Sequence, residues 1–239
     1  MKNLEEIDVV YIYKATDSDE LKYSIRSVAE NWACRKIWIV GDKPEWLSDK
    51  AGFIKAYSSN FNRYRDANNK IKLACRSKEI SDPFWLFNDD FFILDKIDPA
   101  EYQVYYDGTL QEKYDRLRKK YPSLKTWRYL EGFVYAQKVL RINKKENVKN
   151  FETHVPILVN KKQMAGVISV YPNSSCRRSI YMNIYHPNDG VPHDDVKRYE
   201  KNSVISRDDI LVSTDAISFS GQVGDFIREK FKKRSIYEQ

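Results

Sequence analysis

Two adjacent carboxylates follow a run of large apolar residues. The run is Phe84 to Phe87, and Asn88, Asp89 and Asp90 come directly after it. A short run this apolar and aromatic is typical of a strand buried on both faces. Because a charge near a core is costly unless it is paired or binds a metal, the pair indicates a divalent-metal site that holds a nucleotide diphosphate. A polar turn between two strands is the alternative, since Asn and Asp also favour turns.

A histidine is the second side chain suited to chemistry. His154 lies between Glu152 and Pro156 in a segment that is otherwise largely apolar. The pKa of a free histidine, near 6.5, suits proton transfer at neutral pH. Against this, single histidines are more often structural, so the type of residue alone does not decide its role.

Two arginine positions could bind phosphate, because the guanidinium fork matches phosphate oxygens. Arg26 falls in the first predicted helix, where the alternative is a salt bridge, for example to Glu20. Arg177 and Arg178 are adjacent, so a helix separates them by roughly 100° and only one reaches a given cleft. We favour Arg178, with a solvated basic face as the alternative.

The elements that must position these residues follow an α/β pattern. Strand, helix, strand, strand, helix, strand in succession predicts a largely parallel sheet. Ligands of such sheets bind beyond the carboxyl ends of the strands. Asp42 ends the second strand and so can share a cleft with the Asn88–Asp90 group. The predicted elements are strands at 7–13, 36–42, 53–57 and from Phe84, and helices after Asp19 and over 67–80.

The second half of the chain is less regular. Residues 99–150 read as an insertion that covers the sheet, with a strand at 102–106 and a helix at 110–120. Gly166 and Pro172 are expected to bracket an irregular piece, and residues 188–201 a mobile charged loop. In that loop Asp194, Asp195 and Lys197 could form a further site, but we favour the alternative of solvated charges. Further elements are a helix at 174–186, a strand at 210–213 and a helix around 223–231.

Composition places the chain among ordinary globular proteins. Hydrophobic residues make up 42% and charged residues 31% of 239 residues, and no apolar run is long enough to cross a membrane. The start carries no apolar signal segment, which predicts a cytoplasmic protein, bacterial or in a phage-infected cell. The three cysteines fit neither a zinc pattern nor a disulfide framework. A net charge of +7 favours polyanionic partners.

Several motifs together resemble the Stealth family, which contains capsular-polysaccharide sugar-phosphate transferases and N-acetylglucosamine-1-phosphotransferase. The first is Glu20-Leu21-x-Tyr23-Ser24-x-Arg26-Ser27, and the second is Phe87-Asn88-Asp89-Asp90-Phe91-Phe92. Segments around His154-Val155-Pro156 and from Arg178 to Asn183 follow in the expected order, and the chain closes on a similar Ser-x-x-Glu, Ser235 to Glu238. The tryptophan-valine-aspartate-glycine run of the family's first region is replaced here by 13–17.

The resemblance implies a GT-A-like, Rossmann-like single domain with helical elaborations: a nucleotide-sugar-binding half at 1–98, an insertion at 99–150 and an acceptor half at 151–239. It implies a nucleotide-sugar donor, most simply a UDP-sugar, and Mg²⁺ or Mn²⁺ on Asp89 and Asp90. His154 would act as a base or a phosphate contact, with Glu152 orienting it or acting itself. The remaining residues implied to bind donor or to assist are Asp8, Glu20, Arg26, Asp42, Asn88, Arg178 and Asn183.

Substrate and product stay open. Attack at the anomeric carbon transfers a sugar, and attack at the sugar-proximal phosphorus transfers sugar-1-phosphate. The acceptor is a glycan or, given the basic charge, the modified DNA of a phage. A different class, a non-catalytic nucleic-acid-binding protein, is suggested by aromatic residues between basic ones, at Arg63-Tyr64-Arg65 and at 125–129.

Overall fold

A five-stranded sheet forms the centre of the computed structural model, which describes residues 6–58, 62–123, 128–145 and 147–239. Its strands are β1 (Asp8–Tyr13), β2 (Ile37–Gly41), β3 (Gly52–Lys55), β4 (Phe84–Phe87) and β7 (Ile157–Val159). They lie in the order β3-β2-β1-β4-β7. The first four in this order are parallel to one another, and β7 runs antiparallel at the edge.

Two small sheets extend this framework. β5 (Phe91–Ile93) pairs antiparallel with β9 (Leu211–Ser213), and β6 (Tyr105–Tyr106) pairs in parallel with β8 (Val191–Pro192). β5 begins right after the turn that ends β4, so the late strand β9 is brought beside the Asn88–Asp90 group.

Helices cover the sheet and its additions. Those of the described residues are α1 (Glu20–Asn31), α2 (Arg63–Arg76), α3 (Leu110–Lys120), α4 (Arg128–Ile142), α5 (Lys161–Val170), α6 (Arg177–Tyr185), α7 (Ala216–Phe219) and α8 (Gln222–Lys230). None of them combines the length and apolarity that crossing a bilayer requires.

The core lies on both faces of the sheet. Along β4, Phe84 and Leu86 join a cluster with α2, α4, α5 and α6, whereas Trp85 and Phe87 join a second cluster with α1. Every residue of β4 is buried. The alternation follows from the two-residue period of a strand. The prediction of a strand buried on both faces is therefore confirmed.

Within residues 6–58 and 62–98, the elements form as predicted, apart from shifts of a few residues at their ends. Three later predictions are wrong. Gly166 lies inside α5 instead of marking an irregular piece, since one glycine is tolerated within a helix that packs well. Only Tyr105–Tyr106 of the strand at 102–106 forms, and the loop at 188–201 contains β8. The helix α4 was not predicted. Of the aromatic–basic segment at 125–129, residues 125–127 lie outside the described residues.

Candidate active site

The carboxyl ends of the parallel strands bring the predicted acidic residues to one edge of the sheet. Asp89 and Asp90 lie in the turn after β4, which is closed by the Phe91 amide donating to the Asn88 carbonyl at 3.4 Å. Asp42 follows β2, and its carboxylate accepts from the Ala15 amide at 2.8 Å. The alternative of a polar turn therefore describes the Asn-Asp-Asp stretch, and this turn also places two carboxylates at the edge of the sheet. The divalent-metal site stays a prediction.

Three carboxylates are close enough for their charges to interact. Burial raises the pKa of Asp89 to about 7, and the charges of Asp90 and Glu20 add to the effect. Burial also raises the pKa of Glu20, although hydroxyl groups of Thr214 and Ser18 donate to its carboxylate. Several carboxylates so close together repel one another, and a cation beside them would reduce this repulsion.

One cation comes from the protein itself. The Lys197 ammonium lies 2.6 Å from Asp90 Oδ2, and the two side chains are only 13% and 15% exposed. The charge of Lys197 opposes the rise in the pKa of both Glu20 and Asp89. Among the described residues, no donor lies within hydrogen-bond distance of the buried Asp90 Oδ1.

Helix α1 holds the strand that follows the carboxylates. The Ser24 hydroxyl donates to the Phe91 carbonyl, and the Ser27 hydroxyl accepts from the Ile93 amide at 3.0 Å. One turn further, the Asn31 side-chain amide donates to the Ile93 carbonyl at 2.8 Å. Side chains of α1 thus replace a neighbouring strand along the free edge of β5. The serines of the Tyr-Ser-x-Arg-Ser motif fix the turn that carries Asp89 and Asp90.

His154 is held by Asp195. Its Nδ1 lies 2.9 Å and 3.0 Å from the two oxygens of Asp195, and its backbone amide donates to Asp195 Oδ1 at 3.2 Å. Burial would raise the pKa of Asp195, but the bonds from His154 and the charges of His154 and Lys113 hold it well below its usual range. Asp195 favours the tautomer that carries the proton at Nδ1, and in that tautomer the lone pair of the ring lies at Nε2.

Phe91 links the histidine to the carboxylates. It follows Asp90 in the chain, and its ring centroid lies 6.5 Å from that of His154 in an edge-on arrangement. The Arg178 guanidinium lies 5.9 Å from the Phe91 centroid and donates to the carbonyl of Val155. Arg178 is therefore buried behind the His154 segment, where it supports the backbone.

A short extended segment supplies the two partners that sequence reasoning missed. Residues 196–198 pair with β9: the Arg198 amide donates to the Ser213 carbonyl at 2.8 Å, and Ser213 donates to Val196. Val196 is buried in the core. Since alternate residues of an extended chain share a side, Asp195 reaches His154 and Lys197 reaches Asp90. The interpretation of these two residues as solvated is wrong. The signal in the sequence was an apolar residue, Val196, between two charged ones, which is the alternation of an extended segment with one buried side.

A divalent cation fits this group of residues. Carboxylate oxygens are the ligands that Mg²⁺ and Mn²⁺ prefer, and Mg²⁺ commonly uses one or two of them with phosphate and water completing the shell. Among the described residues Asp90 Oδ1 has no hydrogen-bond partner, and the charges of Asp90 and Glu20 add to the burial that raises the pKa of Asp89. The part of the chain that the structure describes holds no set of three or more His, Cys, Asp or Glu side chains suited to a metal. Asp89 and Asp90 would therefore share such an ion with a bound phosphate.

Two residues expected to bind the donor lie elsewhere. Asp8 begins β1, at the amino end of the sheet, and accepts from Arg35 Nε at 2.8 Å and from Trp38 Nε1 at 3.1 Å. Arg26 forms a paired contact with Glu238, at 2.8 Å and 2.6 Å, and both side chains are less than a tenth exposed. The alternative of a salt bridge thus describes Arg26, although with Glu238 in place of Glu20.

Glu152 and Asn183, which were expected to act at the site, instead form hydrogen bonds to the backbone. Glu152 accepts from the Ser179 amide at 2.9 Å in the first turn of α6, so Asp195 and not Glu152 orients His154. The Asn183 amide accepts from the Lys149 amide and donates to the Lys149 carbonyl, at 3.0 Å and 2.9 Å. Asn183 therefore positions the chain that leads to the histidine.

Comparison with known proteins shows the fold. No family model matches the chain, and neither does any curated protein. The galactosyltransferase LgtC in complex with donor and acceptor sugar analogs matches with a TM-score of 0.54, and an active-site mutant of LgtC matches with 0.52. Each match has 11% identity and covers 96% of both chains. The glycosyltransferase GlyE of Streptococcus pneumoniae TIGR4 is similar over 80% of this chain and 45% of its own, with a TM-score of 0.41 and 12% identity.

The predicted fold class is confirmed by the two LgtC structures: a mostly parallel sheet flanked by helices, in the arrangement of a GT-A glycosyltransferase.

Proposed function

We propose that the protein transfers a sugar from a nucleotide-sugar donor to a hydroxyl group of a glycan. The observation that carries this proposal is the meeting of Asp89 and Asp90, after β4 of a GT-A-like sheet, with the His154–Asp195 pair. LgtC, whose fold this chain shares, is a galactosyltransferase with donor and acceptor sugar analogs bound.

The donor would lie across the carboxyl ends of β1, β2 and β4, where open α/β sheets bind ligands. Asp42 and the backbone around Ala15 lie at that edge and are suited to the nucleoside. Asp89 and Asp90 would bind the divalent cation. That cation would offset the charge that develops on the departing diphosphate.

His154 would accept the proton of the acceptor hydroxyl at Nε2. Asp195 fixes the tautomer and stabilises the imidazolium that results, as an orienting carboxylate does in other histidine-based sites. Phe91 is buried beside His154 and directly follows Asp90 in the chain, so its ring would keep the candidate base and the carboxylates in a fixed relation.

Sugar transfer and sugar-1-phosphate transfer differ in the nucleotide they release. Attack at the anomeric carbon releases a nucleoside diphosphate, and attack at the sugar-proximal phosphorus releases a nucleoside monophosphate. The likeness to LgtC supports the first, and the motif resemblance to the Stealth family supports the second. We propose sugar transfer, because the likeness covers nearly the whole chain.

Calorimetric titration of a panel of nucleotide sugars tests the proposal. We expect one donor to bind the wild type with Mn²⁺ and to bind Asp90→Asn at least about tenfold more weakly, since a buried charge contact is lost. Asp95→Asn is the control, because Asp95 is exposed and lies outside the site. Chromatography of the nucleotide released in the presence of that donor then decides between the two reactions. Folded protein that binds none of the donors would overturn the proposal.

A further inference from the structure

Lys197 neutralises one of the two carboxylates that are expected to hold a metal ion. Its ammonium lies 2.6 Å from Asp90 Oδ2, in a contact that is mostly withdrawn from solvent. Asp195 on the same segment contacts the neighbouring chemical centre, His154. The lysine is therefore placed by the same backbone that places the candidate base.

The backbone leaves the lysine little choice of direction. Val196 packs in the core on one side, and hydrogen bonds to Ser213 on β9 fix the residues on both sides of Lys197. The side chain must then point away from Val196 and toward the carboxylates. Such a contact costs less side-chain entropy than a surface ion pair, because its backbone is already fixed.

The Lys197 ammonium and a divalent cation would compete for the same carboxylate, Asp90. Glu20, Asp89 and Asp90 contribute three carboxylates, and Lys197 contributes the cation that acts on all of them. A divalent ion bound to Asp90 would repel an ammonium held at the same carboxylate. Metal and lysine therefore compete for Asp90, unless the ammonium acquires another anionic partner.

We propose that Lys197 is a tethered cation that excludes divalent metal from Asp90 until a nucleotide diphosphate enters. This inference rests on the proposed function, because the diphosphate of the donor is the anion that draws the ammonium away. Metal and donor then bind together, and each raises the affinity of the site for the other by the same factor. In the absence of substrate, Asp90 stays paired with Lys197.

Titration of Mn²⁺ followed by electron paramagnetic resonance measures this coupling directly, without any turnover. The probes are Mn²⁺ alone and Mn²⁺ with UDP, followed by the other common nucleoside diphosphates. The proteins are the wild type, Lys197→Met and the control Lys201→Met, which removes an exposed lysine of the same loop. Lys197→Gln serves as a second variant, and thermal melting verifies that each protein is folded.

In the wild type we expect weak binding of Mn²⁺ alone and binding about tenfold tighter with the diphosphate. In Lys197→Met, Mn²⁺ alone should bind about tenfold tighter than in the wild type, because its competitor is gone. The factor by which the diphosphate tightens Mn²⁺ binding should therefore be smaller in Lys197→Met than in the wild type. Lys201→Met should behave as the wild type does.

The outcomes separate this inference from the proposed function. Equal Mn²⁺ affinity in the wild type and Lys197→Met, with nucleotide binding intact, overturns the tethered-cation role and leaves the donor site standing. Nucleotide binding that never responds to Mn²⁺ also overturns it. Folded proteins that bind neither Mn²⁺ nor any of the diphosphates overturn both proposals.

Discussion

At the scale of single residues, the pairing of His154 with Asp195 carries the proposed acid–base chemistry. Two carboxylate oxygens face one ring nitrogen, and a backbone amide adds a third bond. Such a contact restricts the ring more than one hydrogen bond does. Asp195 is a positioning residue, because it acts on the acceptor only through the histidine.

Asp195→Asn should lower the transfer rate by about 10²-fold to 10³-fold, because the amide no longer favours the productive tautomer of His154. Donor affinity should change by less than about twofold, since Asp195 does not contact the Asp89–Asp90 group directly. Steady-state kinetics with the donor identified by titration would measure both. Asp194→Asn removes the exposed neighbouring charge and should match the wild type. A loss in donor affinity as large as the loss in rate would contradict the assignment.

The pKa of Asp89 makes a separate prediction about pH. Because burial raises this pKa to about 7, the folded protein holds the proton over a range in which the unfolded chain has lost it. The contribution of Asp89 to stability therefore falls as the pH rises from about 4 to about 7. Asp89→Asn removes this loss. In chelator at pH 8, it should be more stable than the wild type by roughly 2 kcal/mol, an advantage that fades toward pH 4.

Denaturant unfolding at several pH values would measure the advantage of Asp89→Asn. Asp95→Asn, which removes an exposed carboxylate four residues from the turn that holds Asp89, should show no such trend. An advantage that is the same at pH 4 and pH 8 would show that Asp89 does not titrate in this range.

At the scale of elements, helix α1 has one role that hydrophobic periodicity predicts and one that it does not. Leu21, Ile25, Val28 and Trp32 pack in the core, as their spacing predicts. Ser24, Ser27 and Asn31 lie on the same helix and serve the free edge of β5. These polar contacts join residues more than 60 positions apart, and no local pattern encodes them.

Ser27→Ala tests this role of α1. Ser27 is fully buried, and without its hydroxyl the Ile93 amide has lost its partner in the core. The expected cost is about 1–3 kcal/mol of unfolding free energy, because the stranded group is desolvated. Donor binding should also weaken, since β5 continues directly from Asp90. Calorimetric unfolding and donor titration would measure the two effects. Ser220→Ala, at the exposed end of α7, should cost little.

Sequence alone predicted the elements that have strong local signals. The strand before Asp89 is apolar throughout, and α1 has a clear stripe, so both were predicted at nearly their observed positions. The wrong predictions concern residues whose roles depend on distant partners. Asp195 and Lys197 sit among charged residues and resemble a solvated loop until β9 is placed beside them. Arg26 resembles a phosphate ligand until the end of the chain is folded onto α1.

At the scale of the whole molecule, the net charge of the chain is positive while the charge of the candidate site is negative. The chain carries a net charge of +7, yet the candidate site gathers Glu20, Asp89 and Asp90. A basic exterior attracts phosphorylated substrates over a distance set by ionic strength. The carboxylates of the site would repel a diphosphate that enters alone, so we expect the diphosphate to bind together with a divalent cation. Non-catalytic binding of nucleic acid would leave these carboxylates without a purpose.

A buried ion pair joins helix α1 to the C-terminal segment of the chain. Arg26 in α1 binds Glu238 near the last residue, and its Nη1 donates to the Phe231 carbonyl at 3.0 Å. Glu238 also accepts from the Ser235 amide, which gives the Ser-x-x-Glu segment a structural role. The contact spans 212 positions of sequence and closes the C-terminal segment over the helix that supports β5.

Glu238→Gln should reduce the free energy of unfolding by roughly 3 kcal/mol at pH 7, because removing one charge of a buried pair leaves the other charge without its partner.

This effect should depend on pH. Burial would raise the pKa of Glu238, but the hydrogen bonds from Arg26 and Ser235 lower it below its usual value. A carboxyl with a lowered pKa stabilises the fold above its unfolded pKa of about 4.3, and this stabilisation is lost as the pH falls through the folded value. The gap between wild type and variant should therefore narrow below about pH 4. Urea unfolding at pH 7 and pH 3 measures this gap, with Glu229→Gln as the control because Glu229 is an exposed residue of α8. A gap of equal size at both values would show that the Glu238 side chain acts by packing and not by charge.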